Sequence, residues 1–136
     1  MRSVFADTSY YAALFSSRDV AHDAADRWSR EFFGCMVTTE FVLVELGNGV
    51  RGVPARETFA EFVSQLHVLL NTIVVPASSG LFRAGMELFA RRLDKDWSVT
   101  DCISFVVMKQ RGLTEALTAD HHFEQAGFKA LLRSRP

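Results

Sequence analysis

Residues 98–111 read SVTDCISFVVMKQR, and apolar side chains recur in this segment on almost every side of a helical turn. A helix that is apolar all round is stable only where other elements cover it. Gly112, directly after the segment, is a residue typical of helix ends. We therefore predict that Ser98–Arg111 is a helix in the middle of the folded domain.

Short extended runs alternate with helical patterns along the rest of the chain. The predicted strands are Ser3–Ala6, Cys35–Thr38, Thr72–Val75, Glu115–Thr118 and Phe128–Leu132. The other predicted helices are Tyr10–Phe15, Asp19–Phe33, Thr39–Asn48, a helix from Pro54 to about Leu70, and Ser79–Leu93. Strands separated by helices favour a parallel sheet covered on both faces. The prediction is an α/β fold, a three-layer α/β/α sandwich with a mostly parallel sheet of about five strands.

Length and composition narrow the class of protein. The chain has 136 residues, 49% hydrophobic and 23% charged, so residues 1–136 are expected to form a single domain with a substantial core. Its apolar runs are too short to span a membrane, and Asp7 interrupts the stretch where a signal peptide would continue. Two isolated cysteines, Cys35 and Cys102, fit a reducing, cytoplasmic location. A net charge of −1 excludes a protein that coats nucleic acid by overall positive charge.

Four acidic residues stand next to or inside apolar segments. Asp7 and Asp120 follow predicted strands, whereas Glu45 and Asp101 lie within apolar helices. Ligands of α/β folds gather beyond the carboxyl ends of the strands, and a buried carboxylate needs a partner or a cation. Carboxylate oxygens without a supporting cysteine or histidine set favour Mg²⁺ or Mn²⁺, which promote phosphodiester hydrolysis. The four acids together predict a metal site of the kind found in nucleases.

Each acid also has a local explanation, which the sequence leaves open. Asp7 and Asp120 are suited to cap the helix or turn that follows them. Asp101 lies three residues after Ser98, which is the spacing of a capping box. Glu45 points to solvent if its helix is amphipathic.

The histidines and the cysteine that adjoin these acids are not predicted to take part in the chemistry. His121 and His122 are expected in a turn, His121–Gly127, with exposed imidazoles, because adjacent side chains in such a segment usually point apart. Cys102 has no evident base nearby and is expected to be a small core residue.

Four segments resemble, in order along the chain, the motifs of the PIN domain family and more narrowly of the VapC-like toxins of bacterial toxin–antitoxin pairs. They are Phe5-Ala6-Asp7-Thr8-Ser9, Val44-Glu45-Leu46-Gly47-Asn48, Ser98-Val99-Thr100-Asp101-Cys102-Ile103-Ser104 and Thr118-Ala119-Asp120-His121-His122-Phe123. Gly127-Phe128 after the last acid also fits the family. The resemblance covers nearly the whole chain.

The resemblance implies a metal-dependent endoribonuclease that cleaves single-stranded RNA, the toxin of a toxin–antitoxin pair. The family's acidic quartet and its two supporting hydroxyl positions correspond to Asp7, Glu45, Asp101, Asp120, Ser9 and Thr118. The three aspartates would bind one or two Mg²⁺ or Mn²⁺ ions. Glu45 would be a further ligand or the base for a metal-activated water that attacks the phosphodiester. A homodimer and a cognate antitoxin that occupies the site are also implied.

A second hypothesis is a non-catalytic PIN-like module that keeps its acids for structure while it binds RNA or a protein. The complete quartet argues against it, because the loss of an acid is the usual mark of a degenerate family member. A receiver domain is disfavoured, because the strand Thr72–Val75 is followed by Pro76 and not by an acceptor aspartate. The chain contains neither a GxGxxG fingerprint nor a P-loop, so a nucleotide cofactor is not expected.

Overall fold

The computed structural model describes residues 1–133, so the last three residues of the predicted domain lie outside it. The strands in this range are β1 (Ser3–Ala6), β2 (Cys35–Thr39), β3 (Thr72–Val75), β4 (Glu115–Leu117) and β5 (Lys129–Ala130). The helices in this range are α1 (Thr8–Phe15), α2 (His22–Glu31), α3 (Glu40–Asn48), α4 (Val53–Val68), α5 (Ser79–Arg91), α6 (Val99–Gln110) and α7 (His121–Gln125). None of these helices combines the length and the apolar character needed to cross a membrane.

The five strands form one parallel sheet in the order β3-β2-β1-β4-β5. The chain therefore builds the sheet outward from β1 in one direction and then returns to add β4 on the other side of β1. In such sheets the crevice beyond the carboxyl ends of the two strands at the reversal is the usual ligand site. Ala6 of β1 is paired with Leu117 of β4, so the residues that follow these two strands are neighbours.

Both faces of the central strand are covered, as the sequence predicts. Val4, Phe5 and Ala6 are consecutive and have no exposed surface. Because successive side chains of a strand point to opposite faces, this burial requires packed helices above and below the sheet. The predicted α/β/α sandwich with a five-stranded sheet is confirmed.

Helix α6 occupies the interior of the fold, as its apolar sequence predicts. Seven of its residues are buried, among them Asp101, Cys102 and Phe105. Cys102 has no exposed surface, so its predicted place in the core is confirmed. The Phe105 ring packs edge to face on Trp97 and Phe123, with ring centroids 5.0 and 4.9 Å away.

The predicted elements differ from the structure mainly near the carboxyl end. The last strand is only Lys129–Ala130, shorter than the predicted Phe128–Leu132. The predicted turn at His121–Gly127 is in fact the short helix α7, which begins after Asp120 and is followed by the left-handed Gly127. The side chain of Asp120 accepts a hydrogen bond from the backbone N–H of His122, and this cap stabilises a helical turn where the sequence predicts none.

Helices α5 and α6 approach each other closely at Gly85. A methyl group at this position would overlap Cγ1 of Ile103 and lie 3.3 Å from the Ile103 Cα. We expect Gly85→Ala to lower the free energy of unfolding by about 1–2 kcal/mol, because the overpacking outweighs the better helix propensity of alanine. Denaturant unfolding measures the change.

Gly80 provides the matched control on the same helix. The nearest atom that an added methyl group would meet is Ser78 Oγ, 3.9 Å away. Gly80→Ala is therefore expected to leave stability unchanged or to raise it by up to about 1 kcal/mol. Equal effects of the two substitutions would show that the helices are not in contact at Gly85.

Candidate metal centre

Asp7 lies at the reversal of the sheet, where β1 ends beside β4. Its Oδ2 accepts hydrogen bonds from the hydroxyls of Thr118, at 2.9 Å, and Ser9, at 3.1 Å. The backbone N–H of Asp7 donates to the carbonyl of Leu117, which holds the two strand ends together. Asp7 occupies the N-cap position of α1 without a side-chain capping hydrogen bond, so capping alone does not explain this acid.

The surroundings of Asp7 disfavour its negative charge. Burial raises the pKa of the Asp7 carboxyl from an ordinary value of 3.8 to about 6, and the charge of Asp101 acts in the same direction. Hydrogen bonds from Thr118, Thr8 and Ser9 oppose the rise without cancelling it. An ionised Asp7 therefore lacks a positive partner among the described side chains.

Asp101 is buried in the first turn of α6. The sequence spacing correctly indicates a capping box: Ser98 Oγ accepts from the Asp101 N–H, and Asp101 Oδ2 accepts from the Ser98 N–H at 3.1 Å. The same Oδ2 lies 3.0 Å from Nδ1 of His122. Burial raises the pKa of Asp101, and the nearby charge of Asp120 adds to the rise. Asp101 thus does form the capping box, but the capping hydrogen bond uses only one oxygen of its carboxylate.

Asp120 is the cap of α7 and is tied to the Asp7 side of the site. Its Oδ1 accepts from the His122 N–H at 2.9 Å, and its own N–H donates to Thr118 Oγ1 at 3.0 Å. Thr118 Oγ1 in turn donates to Asp7, while Ser9 Oγ accepts from the Ala119 N–H at 3.0 Å. The two hydroxyls predicted to support the site thus link the strand ends that carry Asp7 and Asp120.

Glu45 is not joined to the three aspartates by any hydrogen bond or ion pair in residues 1–133. It is half-buried on α3, a helix that packs against α1 and α6. Hydrogen bonds through Thr118 and His122 connect the three aspartates, and Glu45 lies on α3, which packs against the helix that carries Asp101. Its place in the site stays a prediction.

His122 belongs to this cluster, and the expectation of exposed imidazoles in a turn is wrong for it. Its side chain is 19% exposed, whereas that of His121 is 58% exposed. Asp120, His121 and His122 form a group whose possible metal-binding atoms lie within 4.8 Å of one another. The sequence feature that could have indicated this position is Asp120 two residues earlier. An N-cap aspartate starts a helical turn, and this turn brings His122 close to the capping carboxylate.

The donor chemistry of the cluster fits a hard divalent cation. Asp101 Oδ1 and Asp120 Oδ2 accept no hydrogen bond from residues 1–133, so each carboxylate keeps one oxygen available. No lysine or arginine in this range forms an ion pair with Asp7, Asp101 or Asp120. Clustered carboxylates that lack a cationic side chain are stabilised by a bound metal, and oxygen donors favour Mg²⁺ or Mn²⁺.

Comparison with known proteins identifies the family of this chain. The model of the PIN domain family matches residues 4–129. The 23S rRNA-specific endonuclease VapC20 of Mycobacterium tuberculosis is 29% identical over 126 residues, which cover 92% of this chain and 95% of that protein.

Two solved structures share the fold. The crystal structure of Mycobacterium tuberculosis VapC20, described as a sarcin-ricin loop cleaving toxin, matches with a TM-score of 0.83 and 27% identity over 98% of this chain and 99% of that chain. FitAcB from Neisseria gonorrhoeae matches with a TM-score of 0.68 and 16% identity over 93% of this chain and 94% of that chain. At the latter identity the likeness concerns the fold alone.

Proposed function

The chain belongs to the PIN domain family, and on this premise we propose that it is a metal-dependent endoribonuclease that cleaves single-stranded RNA. The observation that carries the proposal is the set of three aspartates at the reversal of the sheet, two of them buried and none paired with a lysine or arginine in residues 1–133. Such a set is costly for the fold unless a cation binds it. The likeness to VapC20, named as a 23S rRNA-specific endonuclease, supports RNA as the substrate.

In this proposal the side chains of the protein bind the cation and accept one proton from the attacking water. Asp7, Asp101 and Asp120 bind Mg²⁺ or Mn²⁺, and Ser9 and Thr118 hold Asp7 in place. A bound ion of this kind polarises the phosphodiester and neutralises the charge that develops on the leaving oxygen. Water then attacks phosphorus and gives its proton to Glu45, while the bond to the 3′ oxygen breaks and that oxygen takes a proton from solvent. The products are a 5′ phosphate and a 3′ hydroxyl.

We also propose that the chain is the toxin of a toxin–antitoxin pair, acts in the cytoplasm and forms a homodimer. The naming of VapC20 as a toxin supports the first part. An apolar groove between α1, α3 and α4, lined among others by Phe15, Leu46, Pro54 and Phe59, supports a protein partner such as an antitoxin segment. Phe15 is 49% exposed, so part of its ring is available to a partner that enters this groove.

Metal removal tests the proposed activity. We expect the purified chain to cleave a pool of single-stranded and stem-loop RNAs with Mn²⁺ or Mg²⁺, to lose cleavage in EDTA, and to regain it when excess Mn²⁺ is added. The readout is the appearance of fragments together with the chemistry of their ends. Fragments with 5′ phosphates are expected, whereas contaminating ribonucleases of the pancreatic type need no metal and leave 3′ phosphates.

Calorimetric titration with Mn²⁺ decides between this proposal and the non-catalytic module. Binding without cleavage of any RNA in the pool would point to a narrower substrate. Absence of both binding and cleavage would overturn the nuclease and favour the PIN-like binding module.

A further inference from the structure

The imidazole of His122 lies between two of the aspartates of the candidate metal centre. Its Nδ1 is 3.0 Å from Asp101 Oδ2 and 3.3 Å from Asp120 Oδ1. Ionised carboxylates only accept hydrogen bonds, so Nδ1 carries the hydrogen and donates it. One ring nitrogen therefore connects a residue of α6 with the residue that precedes α7.

His122 uses carboxylate oxygens that already receive backbone hydrogen bonds. Asp101 Oδ2 also accepts from the Ser98 N–H, and Asp120 Oδ1 also accepts from the N–H of His122 itself. Oδ1 of Asp101 and Oδ2 of Asp120 receive none from residues 1–133. The imidazole thus adds its hydrogen bond to the Asp101 oxygen that the backbone already uses and lies beside the capped oxygen of Asp120, so the other oxygen of each acid is left for a ligand.

The helix that carries His122 is anchored in the aromatic core through the neighbouring residue Phe123. Phe123, the next residue of α7, has no exposed surface, and its ring centroid is 4.9 Å from that of Phe105 and 6.3 Å from that of Phe5. These contacts tie α7 to α6 and to β1. Helix α7 is therefore held where the His122 N–H meets the Asp101 carboxylate, whereas His121 is mostly exposed and lies 3.7 Å from Asp120 Oδ1 and against the His122 ring.

We propose that His122 is a positioning residue that orients Asp101 and Asp120 for a divalent cation, an inference that rests on the proposed function. Hydrogen bonds that orient metal-binding side chains are typically worth 10- to 100-fold in metal affinity. In this role His122 acts through its Nδ1 hydrogen, which it donates to Asp101, and ligation of the metal through Nε2 is the alternative that the test separates.

The test is calorimetric Mn²⁺ binding at a single pH by the wild type and by His122→Ala, His122→Asn and His122→Gln. The amide nitrogen of asparagine lies close to the place of Nδ1, whereas that of glutamine lies closer to Nε2. We expect alanine to weaken Mn²⁺ binding about 10- to 100-fold, asparagine to stay within about threefold of the wild type, and glutamine to resemble alanine. His67→Ala removes an exposed histidine from α4 and is expected to leave the affinity unchanged.

The outcomes separate this inference from the proposed function. A wild type that binds no Mn²⁺ would overturn the metal centre and the role of His122 with it. A wild type that binds while all three His122 variants bind equally well would overturn the positioning role alone. Rescue by glutamine but not by asparagine would instead make His122 a ligand through Nε2. Circular dichroism melts of each variant show that it is folded at the temperature of the titration.

Discussion

Asp7→Asn is expected to lower the rate of RNA cleavage by about a thousandfold or more and at the same time to stabilise the metal-free protein. The loss of activity follows because a carboxylate ligand contributes several kcal/mol to metal-assisted catalysis, and about 4 kcal/mol corresponds to a thousandfold. The gain in stability follows because Asp7 is buried with a pKa of about 6. Cleavage is measured with Mn²⁺, and unfolding is measured in EDTA.

The sign of the stability effect depends on pH. Because the folded-state pKa of Asp7 is raised, its favourable contribution is complete below the unfolded value of about 3.8 and is lost as the pH rises through about 6. Above that pH the ionised carboxylate destabilises the metal-free fold by on the order of 3 kcal/mol relative to the neutral carboxyl. Asparagine avoids the charge, but burial of its polar amide still costs part of this free energy. We expect the variant to be more stable by about 1–2 kcal/mol at pH 7.5 and to show no advantage at pH 4.

Asp23→Asn, at an exposed position in the first turn of α2, is the matched control and is expected to change neither property by much. A variant at Asp7 that remains active would remove this residue from the metal centre. A variant that is inactive but less stable than the wild type in EDTA at pH 7.5 would mean that Asp7 stabilises the fold and that its loss of activity is secondary.

Phe105→Ala is expected to lower the free energy of unfolding by about 3–5 kcal/mol. The Phe105 side chain is 2% exposed and its ring contacts those of Trp97, Phe123 and Phe128. Truncation removes the burial and the aromatic contacts and leaves a cavity between α6, α7 and Phe128. The effect is a large part of the 5–15 kcal/mol that stabilises a domain of ordinary size, and denaturant unfolding measures it.

Phe82→Ala on α5 is the control for this substitution, because Phe82 is 48% exposed. It is expected to cost less than about 1 kcal/mol. If the two variants were equally stable, the aromatic cluster around Phe105 would not be the interior of the fold. Since Phe105 lies one helical turn after Asp101, its loss is also expected to reduce cleavage at temperatures where the variant begins to unfold.

Much of the fold follows from local sequence patterns. The strands Ser3–Ala6 and Thr72–Val75 and the central helix around Phe105 are predicted with bounds close to those observed, because their apolar residues are continuous and flanked by capping residues. The last strand and α7 were less predictable. The former has only two residues, and the latter depends on a single cap at Asp120.

The fold class, the order of the elements and the location of Asp7 and Asp120 after strands can be predicted from the sequence alone. These properties follow from hydrophobic periodicity and from the rule that parallel strands end at one edge of the sheet. Which polar groups meet at this edge depends on the three-dimensional packing of the elements. The return of β4 to the side of β1 places Thr118 on Asp7, and the packing of α7 against α6 turns His122 towards Asp101. Glu45, on the separate helix α3, forms no such hydrogen bond within residues 1–133. The hydrogen bonds of Thr118 and His122 join residues that are about a hundred and about twenty positions apart, so no local sequence pattern encodes them.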